Sequence, residues 1–173
     1  MEVVIGIDPG KTGAITTLSL YREVVRIDPI PADKGTKGVE SYDIFKLIEI
    51  LKDIKNEHDI KRAYIEKQQI FASQGAVSGG STMYGYGMLV SACCALEIPF
   101  QKISPKTWNK VIFKGLTIPN TPKAKKELSV KTALSLYPSE KQKMIRPRGR
   151  VVDHNMAESL LIAEYGVSLL CQQ

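Results

Sequence analysis

Apolar and polar positions along the chain follow two different periods, and the switches between them mark out the elements. The opening run VVIGID (residues 3–8) is apolar up to its final Asp, which predicts a buried central strand. PGKTG (residues 9–13) is a tight turn. AITTLSL and EVVRIDPI then alternate and read as two further strands of a meander. After a loop at PADKGTKG, residues 41–58 carry Ile44, Leu47, Ile48, Leu51 and Ile54 at helical spacing. RAYIEKQQI (residues 62–70) returns to a strand pattern, and FASQGAVSGGSTMYG is a Gly/Ser-rich passage of low regularity. YGMLVSACCALEI (residues 86–98) reads as a helix and PFQKIS as a short strand. SPKTWNKVIF opens a helix with Ser104 as N-cap and Pro105 in the first turn. KGLTIPNTPK is a loop, and AKKELSVKTALSLYP a helix ended by Pro138. SEKQKMIRPRGRVV reads as a basic, mobile loop before a last helix over residues 155–170. The order predicts an α/β fold with a mixed sheet.

Length and composition narrow the class. A chain of 173 residues fits a single domain over residues 1–173 with a sizeable core. Its longest apolar runs are far too short to span a bilayer. MEVVIGID reads as a strand rather than a signal peptide, so a cytoplasmic protein away from the membrane is expected. Cys93, Cys94 and Cys171 show no metal-ligand spacing and read as free thiols. The net charge of +6 is unevenly spread: residues 101–150 hold 13 of the 24 Lys and Arg and only two acids, a local net of +11 that leaves −5 for the remainder. A basic segment on an otherwise acidic chain fits a polyanion-binding face, although a solvated surface gives the same count.

Three places carry acids in unusual settings. Asp8 ends an apolar strand before a Gly turn, where a carboxylate is expensive to bury without a partner. Such strand ends are where sites form in α/β folds, and an Asx turn is the competing reading. Glu66 lies inside a strand-like run, where a solvent-facing position in the alternation competes. In DHNMAESLLIA, Asp153, His154, Asn155 and Glu158 fall within six residues at the start of a helix. His154 and Asn155 share a face with Glu158, and Asp153 is placed to cap the helix. Carboxylates gathered from distant parts of one chain suit Mg²⁺. Two such ions clamp the attacking and leaving oxygens of a phosphodiester. With the basic segment, the composite is a metal-dependent nuclease.

Four motifs, GIDPGKTGA, YIEKQQ, the run from SQGAVSGGSTMYGYGML to PFQKISPKTWNK, and DHNMAESLLIAEYG, appear in that order. Through them the chain resembles the RuvC-like Holliday junction resolvases of the RNase H-like superfamily, particularly the small forms carried by phages. The resemblance covers nearly the whole chain. It implies a five-stranded mixed sheet flanked by helices and a homodimer that nicks a four-way junction symmetrically. It also implies an acidic site holding one or two Mg²⁺ ions per subunit, with Mn²⁺ as a substitute. Asp8, Glu66 and Glu158 match the first-strand, fourth-strand and final-helix carboxylates of the family.

The chain departs from the family at the fourth ligand slot. Many relatives place Asp or His three or four residues before the last acid; here those positions are Asn155 and His154, with Asp153 one further back. His154, able to bind metal or move a proton, is the favoured fourth catalytic group. Asp153 and Asn155 remain candidate metal ligands beside it. A stacking aromatic three positions after the strand glutamate is replaced by Gln69, and Phe71 is the candidate substitute or plain core. Lys11, Lys106, Lys110, Lys114, Lys123, Lys125 and Lys126 are expected on phosphates, with Arg146, Arg148 and Arg150 reaching an arm of the DNA. Trp108 reads as core, and the helix over residues 86–98 as part of a dimer interface. Hydrolysis would leave a 5′-phosphate and a 3′-hydroxyl, without a nucleotide cofactor. A broader branched or flap nuclease, a non-catalytic junction-binding protein, and a nucleotide-binding protein of the sugar-kinase-like superfamily are the competing readings.

Overall fold

Apart from Glu2, every residue of strand β1 (Glu2–Asp8) is buried, as its apolar run predicts. The computed structural model describes residues 1–34, 40–69 and 75–171. β2 (Ala14–Ser19) and β3 (Val24–Pro29) follow β1 as an antiparallel meander. β4 (Ala32–Lys34) and β5 (Glu40–Tyr42) then pair in a separate two-stranded ribbon where the sequence reads as a loop. The remaining elements are α1 (Ile44–Glu57), β6 (Asp59–Glu66), α2 (Ala76–Ala95), β7 (Phe100–Ile103), α3 (Pro105–Ile112), α4 (Pro122–Leu136) and α5 (His154–Leu170). A 3-10 segment, Pro138–Met144, lies between the last two helices. The main sheet has the order β3-β2-β1-β6-β7, with β6 parallel to both neighbours. It is the five-stranded mixed sheet flanked by helices that was expected.

The two-residue period of the strands divides the core. Ile5, Ile7, Ile15, Ala63 and Ile65 pack with Leu47, Leu51 and Ile54 of α1 and Leu89 and Cys93 of α2. Val4, Leu18 and Tyr64 belong to the opposite cluster, with Leu160 and Leu161 of α5, Trp108 of α3 and Ala133 of α4. Asp8 shares the parity of Val4, and Glu66 that of Tyr64. Both carboxylates therefore fall on the α5 face, at the C-terminal ends of adjacent parallel strands.

Helix α5 lies directly on β1 because residue 6 is glycine. A Cβ there would stand 2.2 Å from the Ser159 carbonyl oxygen and 2.3 Å from the Ala163 nitrogen. The contact is reinforced by a 2.7 Å hydrogen bond between the hydroxyls of Thr16 and Ser159. It brings the start of α5, with Glu158 in its second turn, over the end of β1.

Three expectations are corrected. The Gly-rich passage is helical from Ala76, where α2 begins. Each interior glycine costs about 1 kcal/mol of helix propensity relative to Ala, but at Gly85 an added Cβ would meet the Tyr42 ring at 2.1 Å. Close packing thus offsets the propensity. Helix α4 starts at Pro122 rather than inside the following Lys run, with Thr121 accepting from the Ala124 N–H at 3.3 Å. The basic segment before α5 is structured. After the 3-10 segment, Ile145 and Val152 form a bridge, Met144 is fully buried, and Lys143 donates to the Val24 carbonyl at 2.6 Å.

Candidate active site

Three carboxylates converge electrostatically at the C-terminal end of β1. Asp8 is 7% exposed. Burial holds its carboxyl well above the ordinary range, and Glu66, Glu158 and Asp153 push it the same way against the opposing pull of Arg146. Burial lifts Glu66 to about 7, with the Glu158 charge adding and a hydrogen bond from Trp108 subtracting. Glu158 is also raised, by burial first, against a hydrogen bond from Ser129 and the charge of Lys126. The shared cause is negative charge removed from water beside negative charge.

Each glutamate is anchored by a single neutral donor. Trp108 Nε1 donates to Glu66 Oε1 at 2.8 Å, and Ser129 Oγ to Glu158 Oε1 at 3.0 Å. Among the described residues no protein group donates to the second oxygen of either. A cavity of about 140 Å³ separates them, lined by Glu66, Trp108, Asn109, Ser129 and Glu158 among others. Asn109 Oδ1 is buried there without a hydrogen-bond partner. Sequence reading assigned Trp108 to the core alone and passed over Ser129 and Asn109.

The DHNMAE cluster separates into distinct roles. Asp153 is the N-cap of α5: its Oδ1 accepts from the N–H groups of Asn155 at 2.9 Å and Met156 at 3.1 Å. Its Oδ2 receives Arg146 Nε at 2.5 Å. Burial alone would raise the Asp153 carboxyl, but Arg146 and the two backbone donors outweigh it and hold the group below the ordinary value. Both oxygens are thus engaged by the protein, which leaves Asp153 poorly placed as a metal ligand. His154 lines a different hollow, of about 760 Å³, with Lys123, Lys126, Val130 and Val152. Burial, then Lys126, lowers its pKa against the opposing charge of Asp153, which favours the neutral ring. The Asn155 side chain makes no hydrogen bond among the described residues.

Arg146, expected on DNA, is committed to the protein. Besides Asp153, its Nη2 donates to the Thr12 carbonyl, and to that of Gly13 at 3.4 Å. It ties the cap of α5 to the turn that follows Asp8. Lys106, Lys110, Lys114, Lys123, Lys125, Lys126, Arg148 and Arg150 are exposed, and Lys11 is half-buried. Among the described residues none of these nine forms an ion pair with an acid. Phe71 lies outside the described residues.

The donor set can be tested against the Mg²⁺ expected from sequence. Among the described residues no three His, Cys, Asp or Glu side chains stand close enough together to hold an ion as they are. Asp8, Glu66 and Glu158 nevertheless feel one another's charge. They offer hard oxygen donors with free valence, beside an orphaned amide oxygen. That chemistry suits Mg²⁺ or Mn²⁺ rather than a thiophilic metal.

The sheet order, the mixed pairing and the helix laid across β1 define an RNase H-like fold. The chain shares that fold with RuvC of Thermus thermophilus in complex with a Holliday junction substrate: the TM-score is 0.63 at 12% identity, over 99% of this chain and 96% of that one. A second Thermus thermophilus RuvC structure gives 0.56 at 14% identity, covering 98% and 96%. The yeast mitochondrial Holliday junction resolvase Ydc2 gives 0.59 at 16% identity, covering 98% of this chain and 79% of that one. No protein-family sequence model and no curated protein sequence matches the chain. Among the described residues no helix is long and apolar enough to cross a membrane.

Proposed function

We propose that this protein is a cytoplasmic, structure-selective endodeoxyribonuclease that resolves four-way DNA junctions by paired symmetric nicks, leaving 5′-phosphate and 3′-hydroxyl ends. The observation that carries the reading is the trio Asp8, Glu66 and Glu158, brought from two strands and a helix within reach of one another's charge, Asp8 buried and the glutamates half-buried, without a full complement of cations. Such an arrangement costs stability unless it has a use. Its position at the carboxyl ends of parallel strands, on a fold shared with RuvC, supports nuclease chemistry.

Asp8, Glu66 and Glu158 would hold one or two Mg²⁺ ions, or Mn²⁺ in their place. The metal supplies a water of lowered pKa and charge stabilisation at the scissile phosphate. The protein contributes orientation and an anion-binding surround. Neutral His154, beside Lys126, can accept a proton or a hydrogen bond near the phosphate. The unpaired lysines of α3 and α4 would bind flanking phosphates without reading sequence. Paired nicks require two sites related by a two-fold axis, and we assign the interface to α2, whose Val77, Met83 and Tyr84 are exposed.

The test is cleavage of a labelled synthetic four-way junction in Mg²⁺ and in EDTA, beside linear duplex, flap and Y-shaped DNA. Symmetric nicks on the junction are expected, abolished by EDTA and reduced at least about a hundredfold in Glu66→Gln and Glu158→Gln. Equal cutting of flaps would replace the assignment with a general branched-DNA nuclease. Tight binding with no cutting in either metal would replace it with a junction-binding protein.

A further inference from the structure

The two glutamates of α5, buried Glu164 and half-buried Glu158, are treated in opposite ways by their surroundings. Glu164 receives Arg22 Nε at 3.0 Å, Ser168 Oγ at 3.1 Å and Tyr137 Oη at 2.5 Å, so that a cation and two hydroxyls satisfy both its oxygens. Glu158, six residues earlier, receives one hydroxyl on one oxygen. Glu66 has the same minimal arrangement, with an indole in place of the hydroxyl.

Both donors are rigid and dry. Trp108 is 3% exposed and packs on Phe113 with ring centroids 5.7 Å apart. It sits on α3, whose start is fixed by the Ser104 cap. Ser129 is 2% exposed. Its hydroxyl also lies 3.2 Å from the Lys125 carbonyl, so its one proton is shared between the helix backbone and Glu158. An indole and a hydroxyl can orient a carboxylate, yet neither neutralises it. A lysine or arginine in either place would compete with a bound cation.

We propose that Trp108 and Ser129 are positioning residues of the metal site: each fixes Oε1 of one glutamate with an uncharged donor, so that Oε2 and the negative charge stay available to a divalent cation. The inference rests on the assignment of Glu66 and Glu158 as metal-holding groups. It extends that assignment to two side chains on different helices, which together set the separation of the glutamates. Partners of this kind usually contribute ten- to a hundredfold to metal affinity.

The experiment measures free Mn²⁺ by electron paramagnetic resonance during titration of the DNA-free protein. The panel is wild type, Trp108→Phe, Ser129→Ala, Ser129→Thr and Glu66→Gln, with thermal melting as a check on folding. Trp108→Phe keeps an aromatic ring on Phe113 and loses only the N–H donor and some volume. Ser129→Ala and Trp108→Phe are each expected to weaken Mn²⁺ binding about tenfold. Ser129→Thr, which keeps the hydroxyl, is expected to restore it to within about threefold. Four-way junction affinity in EDTA should be unchanged, because neither donor reaches the surface. If Trp108→Phe and Ser129→Ala bind Mn²⁺ as wild type does while Glu66→Gln does not, the positioning role is overturned and the metal site stands. If wild type and Glu66→Gln both fail to bind Mn²⁺, the metal reading falls and the positioning role falls with it.

Discussion

At the scale of single residues, the site is a store of unfavourable electrostatics, and that makes it measurable without substrate. The Glu66 carboxyl is raised from 4.5 to about 7, chiefly by burial. A raised folded-state pKa means that folding favours the protonated form. Its contribution is fully present below about 4.5 and is lost as the pH rises through about 7. At 1.36 kcal/mol per pKa unit the loss is at most about 3 kcal/mol. Glu66→Gln keeps the shape and the acceptor for Trp108 but cannot ionise. In EDTA, the stability difference between variant and wild type should therefore grow in the variant's favour by about 1–3 kcal/mol between pH 5 and pH 8. Taking the difference cancels titrating groups that do not feel Glu66, such as Asp43, whose pKa is lowered. Urea melts at the two pH values make the comparison, and parallel pH profiles would refute it. Added Mg²⁺ should stabilise wild type at pH 8 and leave the variant unmoved.

At the scale of elements, what the sequence revealed depended on whether a residue's role is set by its own strand or helix. The positions of Asp8 and Glu66 in the fold were legible because a two-residue period fixes the face of a strand residue, and both runs read as strands. Glu158 was legible because an apolar helix follows it at once. Trp108 and Ser129 were not, because their partners lie across helix crossings that no local pattern encodes. His154 shares a helical face with Glu158 in the abstract. At the first position of α5, however, a side chain tilted toward the N-terminus extends past the helix end to the hollow beside Lys126. The basic segment misled for a related reason. Its charge suggested a solvated loop, whereas Met144 buries itself and Arg146 ties Asp153 to the turn after Asp8. Arg146→Ala should accordingly act on stability. It removes the cation paired with the Asp153 cap and is expected to cost about 1–3 kcal/mol, the range for a part-buried charged hydrogen bond. It should leave the salt dependence of junction binding as in wild type. A changed salt dependence with unchanged melting would instead return Arg146 to the DNA face.

At the scale of the whole molecule, charge pairing adds to charge count: within the basic segment Lys143 pairs with Glu140 and Arg146 with Asp153, but the start of α4 is left unpaired among the described residues. Outside the basic segment cations are commonly paired: Lys61 with Glu2 and Asp59, Arg26 with Asp28, Arg22 with Glu164. Within it, Lys123, Lys125 and Lys126 at the start of α4 are exposed and form no ion pair among the described residues. Three cations on the first turns of a helix oppose its macrodipole, so their placement is a local cost that a polyanion would relieve. Lys123 and Lys126 also line the hollow that holds His154, while Lys125 borders the cavity between Glu66 and Glu158. Each phosphate contact releases condensed counterions and contributes about −0.9 to the slope of log K against log salt concentration. Replacing all three lysines by Ala should reduce the magnitude of that slope by about 2–3 and weaken binding by similar factors across unrelated junction sequences. Lys61→Ala, which removes a single charge already neutralised within the protein, should leave the slope unchanged. The measurement is junction binding by Glu66→Gln in EDTA from 50 to 200 mM salt, a range over which such contacts are well resolved. A triple variant with the wild-type slope would move the DNA off α4 and away from His154. A slope reduced in Lys61→Ala by as much per charge removed would show that net charge matters and location does not.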